Sequence, residues 1–297
     1  MQRASSYRRR GDPRPRRAHP RQSWPAALLG ALALALLVAP SALANSTRSS
    51  NWAGYAAHGS HVSFHRVFGA WRQPAATCTA GTPTYSSVWV GLGGYSPTSP
   101  ALEQIGSEVD CPASGPVVSS VWYELVPAAS RTIRMTVAPG DYLTAAVTVN
   151  GHDVRLQIDD VTRRTSFQRT VHVNQLDVSS AEWIVEAPSV CSGNASCQEL
   201  ALANFGSAQF SRANVIRTGG YHGRIVDRRW STTKITLAAN GRRFIANPAA
   251  AATASPSTLT AGGSAFTITY ASSPGSGAPP AKGSAQTASV LARPHRS

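Results

Sequence analysis

The stretch "AEWIVEAP" at 181–188 sets two carboxylates, Glu182 and Glu186, four residues apart in otherwise apolar text. A carboxylate can take a proton from water and later return it to a leaving group, which hydrolysis without a covalent intermediate requires. Side chains alternate faces along a strand, so Ala181, Trp183 and Val185 share one face and Glu182, Ile184 and Glu186 the other. The first face reads as core. The second is either wetted or turned into a cleft, and periodicity does not choose between the two glutamates. Other polar groups lie in similar text. "ALEQIGSEVD" (101–110) holds Gln104 and Glu108, and "VWYELVP" (121–127) puts Trp122 and Glu124 on one face, with Val121, Tyr123 and Leu125 on the other. "NWAGY" (51–55) and "SVWVGLGG" (87–94) add Trp52 and Trp89. Each acid taken singly also reads as a solvated strand residue.

Other hydrolytic devices are missing from the sequence. It has no G-x-S-x-G elbow and no H-E-x-x-H zinc motif. His61 and His65 would share a strand face but stand roughly 13 Å apart along it, too far to hold one metal, so they and His58 read as surface residues. The four cysteines are even in number, which in an exported chain argues for two disulfides rather than a thiol nucleophile. Cys191 and Cys197 enclose the small polar loop "SGNAS" and are expected to pair, leaving Cys78 with Cys111. Metal binding is the competing use, but no C-x-x-C pair or nearby histidine supports it.

These groups must be positioned by strands. Short β-branched and aromatic runs recur at 61–71, 85–92, 117–126, 132–137, 143–149, 154–158, 181–186, 233–238 and 266–270. Turn signals separate them: "APGD" (138–141), "VNGHD" (149–153) and "AANGR" (238–242). No helical period persists over a dozen residues. The expected fold is all-β, an antiparallel two-sheet β-sandwich, in one domain over 45–272. Residues 273–297 have little apolar content and are expected to be disordered. Residues 1–44 read as a secretory signal segment, with a basic n-region, an apolar run at 25–39 and "ALA" at 42–44. An exported protein, soluble once that segment is removed, is therefore expected.

Charge narrows the partners. The chain has 28 basic and 14 acidic residues; the first 44 hold eight of the former and one of the latter, which leaves 20 against 13, a net of +7. The remaining arginines are scattered, without the clustered stripe that nucleic-acid binding wants.

Taken in order, N-W-x-G (51–54), W-V-G (89–91), L-x-Q-x-G (102–106), W-Y-E-x-x-P (122–127) and A-E-W-I-V-E (181–186) resemble the glutamic peptidases, or eqolisins, over roughly 51–271. The small loop after the glutamate strand is similar too. The resemblance implies a lectin-like (concanavalin-like) sandwich with a cleft on the concave face of one sheet. It implies an acid endopeptidase acting on polypeptides, monomeric and without metal or cofactor. Its catalytic pair falls on Gln104 and Glu186, while Trp52, Trp89, Glu108 and Glu124 match cleft-lining positions. Glu182 then serves as a control. A neutral amide beside the carboxylate can hold the water and donate to the developing oxyanion without raising the carboxylate's pKa. A glutamate at its ordinary value, about 4.3, suits an acidic optimum.

The sequence departs from the fungal pattern at two places. Gly93 stands where fungal members have an aspartate, and Ser120 replaces a cleft acid, so a shifted pH optimum or subsite preference is expected. Six residues, 45–50, separate the expected cleavage site from "NWAGY", leaving no room there for a long propeptide. The alternatives are a lectin-like module whose Trp52, Trp89 and Trp122 stack on sugars, and a structural surface protein. The pairing of Gln104 with Glu186 favours the enzyme, because sugar binding does not need it.

Overall fold

A computed structural model of the 297-residue chain describes residues 44–192, 196–238 and 252–272. The expected signal segment, the C-terminal tail and the "AANGR" turn beyond Ala238 lie outside the described residues, as do the side chains of Cys191 and Cys197. Strands β1 (Asn45–Ser49), β2 (Trp52–His58), β3 (Phe64–Arg72), β4 (Thr84–Gly93), β5 (Leu102–Cys111) and β6 (Val118–Val126) come first. The short β7 (Arg131–Ile133) precedes a meander of β8 (Tyr142–Asn150), β9 (Asp153–Asp160) and β10 (Thr165–His172). Then follow β11 (Ser180–Glu186), β12 (Ser189–Ser192), β13 (Ser196–Glu199) and β14 (Ser207–Arg217). The last are β15 (His222–Gly223), β16 (Ser231–Leu237), β17 (Ala252–Pro256) and β18 (Phe266–Ser272).

The fold is all-β and mainly antiparallel; β1 on β16 is a parallel pair. Among the described residues, hydrogen bonding does not split into two large sheets. One path runs β10-β9-β8-β3-β14-β18-β17-β16-β2-β11-β4-β5-β6-β7, and β12 pairs apart with β13. This sheet doubles over, so that β3 and β8 lie across from β4, β5 and β11. The space between is the core, filled by Val67, Trp71, Val90, Ile105, Leu143 and Trp183.

Local chemistry explains most of the elements. Gly151 and His152 turn β8 into β9, with Gly151 at φ 58° and Asn150 opposite Asp153; the "NG" signal predicts the hairpin, shifted one residue from its central pair. Val121 and Tyr123 point into the core and Trp122 away from it, following the expected alternation on β6. The run at 132–137 is shorter than expected. Met135 N–H turns back to Ile133 O at 2.8 Å and ends β7. Strand β14 was not anticipated, and its bulge shows why. Ala208 and Phe210 are buried before it and Ala213 and Val215 after it, so the alternation changes parity in mid-strand. Cys78 and Cys111 form the expected disulfide, with Cα atoms 5.4 Å apart. The β12–β13 backbone sets Cys191 opposite Cys197.

Candidate active site

The sheet is read most directly as rows across β2, β11, β4, β5 and β6, since residues directly opposite in antiparallel strands share a face. One row is Trp52, Glu186, Ser87, Glu108 and Ser120. The next is Gly54, Ile184, Trp89, Gly106 and Trp122, and the third is Ala56, Glu182, Gly91, Gln104 and Glu124. All three lie on the face turned away from the main core. There Trp52, Ala56, Trp89, Leu102, Trp122, Ile184 and Ile235 make a second apolar cluster. The glycines permit close packing of that cluster. A Cβ on Gly106 would sit 2.3 Å from Val88 O and 2.6 Å from Trp89 Cβ. On Gly54, at φ 149°, it would sit 2.0 Å from Trp183 O. The G of N-W-x-G and the G of L-x-Q-x-G are thus packing requirements.

Glu186 is the best-held carboxylate on this face. Asn51 Nδ2 donates to Oε1 at 3.0 Å and Trp89 Nε1 to Oε2 at 2.8 Å. Trp52 also hydrogen-bonds this side chain, and its ring meets Trp89 edge-on with centroids 5.0 Å apart. Burial raises Glu186 to about 8, the charge of Glu124 adds to the rise, and the bonds from Trp89, Trp52 and Asn51 oppose it. This corrects the reasoning behind an acidic optimum, which assumed a glutamate at its ordinary value.

Gln104 is 3 % exposed, and its Nε2 donates to Glu124 Oε2 at 2.8 Å. Its Oε1 is buried without a hydrogen-bond partner among the described residues. Burial raises the Glu124 pKa, against the bond from Gln104. Gln104 and Glu186 make no direct hydrogen bond; Glu124 links them, bonded to one and charge-coupled to the other. Glu108 lies in the Glu186 row and accepts a hydrogen bond from Ser120, one of the replaced acids. At the other, Gly93, a side chain would not fit. The residue sits at φ 84°, and a Cβ would lie 2.5 Å from Asp177 O.

Glu182 is not wetted. It is 0 % exposed, and the Ser180 side chain hydrogen-bonds it. Burial, with Asp177 and Glu103 nearby, pushes it well above the usual carboxylate range. The sequence reading passed over Asn51 as a ligand of Glu186; its one signal was its place before Trp52 in the N-W-x-G motif. Trp52 and Trp89 are fully buried and Trp122 is 7 % exposed, so none of these rings offers a face to a sugar.

The model of the Peptidase A4 family matches residues 50–247. The chain belongs to the peptidase A4 family. It is a glutamic endopeptidase by that membership. The fold agrees with solved glutamic peptidases. Scytalido-glutamic peptidase, crystallised with a transition-state analogue inhibitor, aligns at TM-score 0.59 and 20 % identity, over 74 % of this chain and 98 % of its own. The eqolisin SCP-B, in complex with the tripeptide Ala-Ile-His, aligns at TM-score 0.51 and 17 % identity, over 74 % and 98 %. Aspergilloglutamic peptidase from Aspergillus niger aligns at TM-score 0.50 and 25 % identity, over 63 % and 99 %. No curated protein matches the sequence of this peptidase.

Proposed function

We infer that this peptidase hydrolyses peptide bonds with Glu186 and Gln104, on a peptide-binding cleft formed by the face that carries them. The observation that carries the reading is the state of Gln104. Glu124 engages one of its N–H groups, while Oε1 stays buried and unpartnered among the described residues. Gln104 can therefore accept a hydrogen bond from a water and donate its second N–H to a carbonyl oxygen. Glu186, as carboxylate, takes a proton from that water as the water oxygen bonds to the scissile carbonyl carbon. The electron pair moves to the carbonyl oxygen, where Gln104 Nε2–H stabilises it. Collapse breaks the C–N bond, and Glu186 returns its proton to the leaving amine. An acid and an amine leave, and the enzyme is restored. Trp52, Trp89 and Asn51 hold Glu186 in place. Glu124 positions Gln104, and Glu108 lies along the same face. The reading extends to a monomer, exported by way of residues 1–44 and acting on extracellular polypeptides, with no part for cofactor or nucleic acid.

The test is cleavage of denatured casein across pH 2–9 by the wild type, Glu186→Gln, Gln104→Ala and Glu182→Gln. Glu186→Gln is expected to lose about 100- to 10,000-fold in kcat, and Gln104→Ala about 100- to 1000-fold. Cleavage by Glu186→Gln at the wild-type rate would refute the assigned base.

A further inference from the structure

Away from the catalytic face, the space between the two halves of the sheet is open near β7 and β10. Tyr123 of β6 lies directly opposite Arg131 of β7, and Leu125 directly opposite Glu103 of β5, so these four side chains share the inner face. On β10, Phe167, Arg169 and Val171 lie opposite the core residues Ile158, Leu156 and Val154 and share the inner face of their own half. The two faces meet at Tyr123, whose ring stacks on Phe167 at 5.9 Å while the Arg169 guanidinium lies over it at the same distance. Beside that contact is a cavity of 690 Å³, lined by Glu103, Leu125, Arg131, Arg169, Val171 and Asn174 among others. A volume of this size suits a small ligand or a few residues of peptide.

The chemistry of this groove is lopsided. Arg131 and Arg169 stand exposed at its rim, both directed to the Tyr123 side, and form no ion pair with a carboxylate among the described residues. The remaining segments of the chain contain one acidic residue, Asp12, which belongs to the expected signal segment. The chain outside that segment thus has no side chain left to neutralise the two arginines. Deeper in, Leu125 and Val171 form apolar walls. Glu103 is 1 % exposed and burial raises it to about 8, so below that pH the floor is uncharged and does not repel an anion. Two cations above an apolar cavity are the complement of a carboxylate attached to an apolar body. A peptidase makes such a group at each cleavage, because every cut frees a new carboxyl terminus. The side-chain amides of Asn174 and Gln175, on the same lining, offer hydrogen bonds to peptide groups.

We propose that this groove is a second binding site, separate from the face carrying Glu186, which takes the carboxyl terminus of a peptide ending in an apolar residue, the kind of fragment the enzyme itself releases. The terminal carboxylate meets Arg131 and Arg169, whose planar guanidinium groups bind such a group in two-point fashion. The last side chain fills the cavity against Leu125 and Val171, and Asn174 and Gln175 bond the peptide group before it. The source of the ligand rests on the peptidase activity; the binding does not rest on the roles given to Gln104 and Glu186.

The test uses the full chain and three unlabelled probes in titration calorimetry: acetyl-Leu-Leu, its carboxyl-terminal amide, and octanoate, which has the carboxylate and an apolar body but no peptide group. Mass spectrometry confirms that the peptides stay intact. Acetyl-Leu-Leu is expected to bind at least about tenfold tighter than the amide, and tighter than octanoate. The Arg131→Ala/Arg169→Ala variant is expected to bind acid and amide alike. That variant alters exposed side chains and should cleave casein within about twofold of the wild type, which shows that it is folded. Equal binding of acid and amide by the wild type, or a preference for the acid that survives in the double variant, would overturn the site. Octanoate binding as tightly as acetyl-Leu-Leu would overturn the peptide as its ligand. Glu186→Gln should bind acetyl-Leu-Leu as the wild type does, whether or not it still cleaves casein; loss of binding there would place the probe on the catalytic face instead and overturn the proposal.

Discussion

On the face that carries Glu186, the carboxyls of Glu186, Glu124 and Glu182 are buried and their ionisation is suppressed; between β7 and β10, the charged groups are arginines at an open rim. The two regions use charge in different ways. An exposed arginine keeps its charge at every working pH, costs the fold little and can be satisfied by whatever arrives. A buried carboxyl is costly to ionise, so its protonation state becomes a property of the fold. The first arrangement suits recognition. The second suits proton transfer, which needs a group whose affinity for a proton lies near the working pH.

The comparison breaks most visibly at Glu182 and Glu186, which share one strand and one face. Glu186→Gln removes the proton carrier and is expected to cost orders of magnitude in rate. Glu182→Gln should cleave casein at close to the wild-type rate, because no catalytic group bonds to it. A loss in Glu182→Gln as large as in Glu186→Gln would erase the distinction.

Next in size is the pH–rate profile. Glu186 acts as base only when ionised, and its pKa is raised to about 8. The ascending limb of kcat/KM is therefore expected at least about two units above an ordinary glutamate, whose value is about 4.3. Removing the Glu124 charge by Glu124→Gln should move the limb toward acid. A limb near pH 4 in the wild type would mean that Glu186 is solvated in the free enzyme.

Stability gives a further contrast. Glu103 is raised to about 8 and Glu182 well above the ordinary range. A carboxyl with a folded-state pKa above its unfolded value contributes its full stability below the unfolded pKa. That contribution is lost as pH rises through the folded one. Between about pH 4 and 8 Glu103 lowers stability by about 1.4 kcal/mol per pH unit, and Glu182 acts in the same direction. Thermal melts should thus show Tm falling from pH 5 to pH 8, and Glu182→Gln should flatten that slope. A Tm that rises over this range would contradict the burial of these groups. The smallest effect belongs to the open groove, where Arg131→Ala and Arg169→Ala should each change stability by about 0.5 kcal/mol or less in chemical denaturation.

Much of the fold was readable from local text. Alternation in "AEWIVE" put Trp183 in the core, "VNGHD" marked the β8–β9 hairpin, and the runs at 85–92, 117–126 and 143–149 became β4, β6 and β8. Strand β10 left no trace because it has no apolar face to alternate; most of its residues are exposed. Strand β14 was hidden by a bulge that flips its parity. Of the site, the ordered motifs pointed to Gln104 and Glu186, and the structure sets both on one face. Nothing local marked Asn51 as the partner of Glu186, 135 positions away.

Residue order and type were enough to fix an all-β chain, the pairing of Cys78 with Cys111 and membership of a peptidase family, because these depend on periodicity, cysteine count and motif order. Folding settled which glutamate is gripped by Trp89 and Asn51, which is fully sealed beside Ser180, and in which direction each is shifted. It also opened the groove between β7 and β10, strands that local text marks as unremarkable. Desolvation and edge geometry depend on neighbours brought together from distant parts of the chain, and no local pattern records which neighbours those will be.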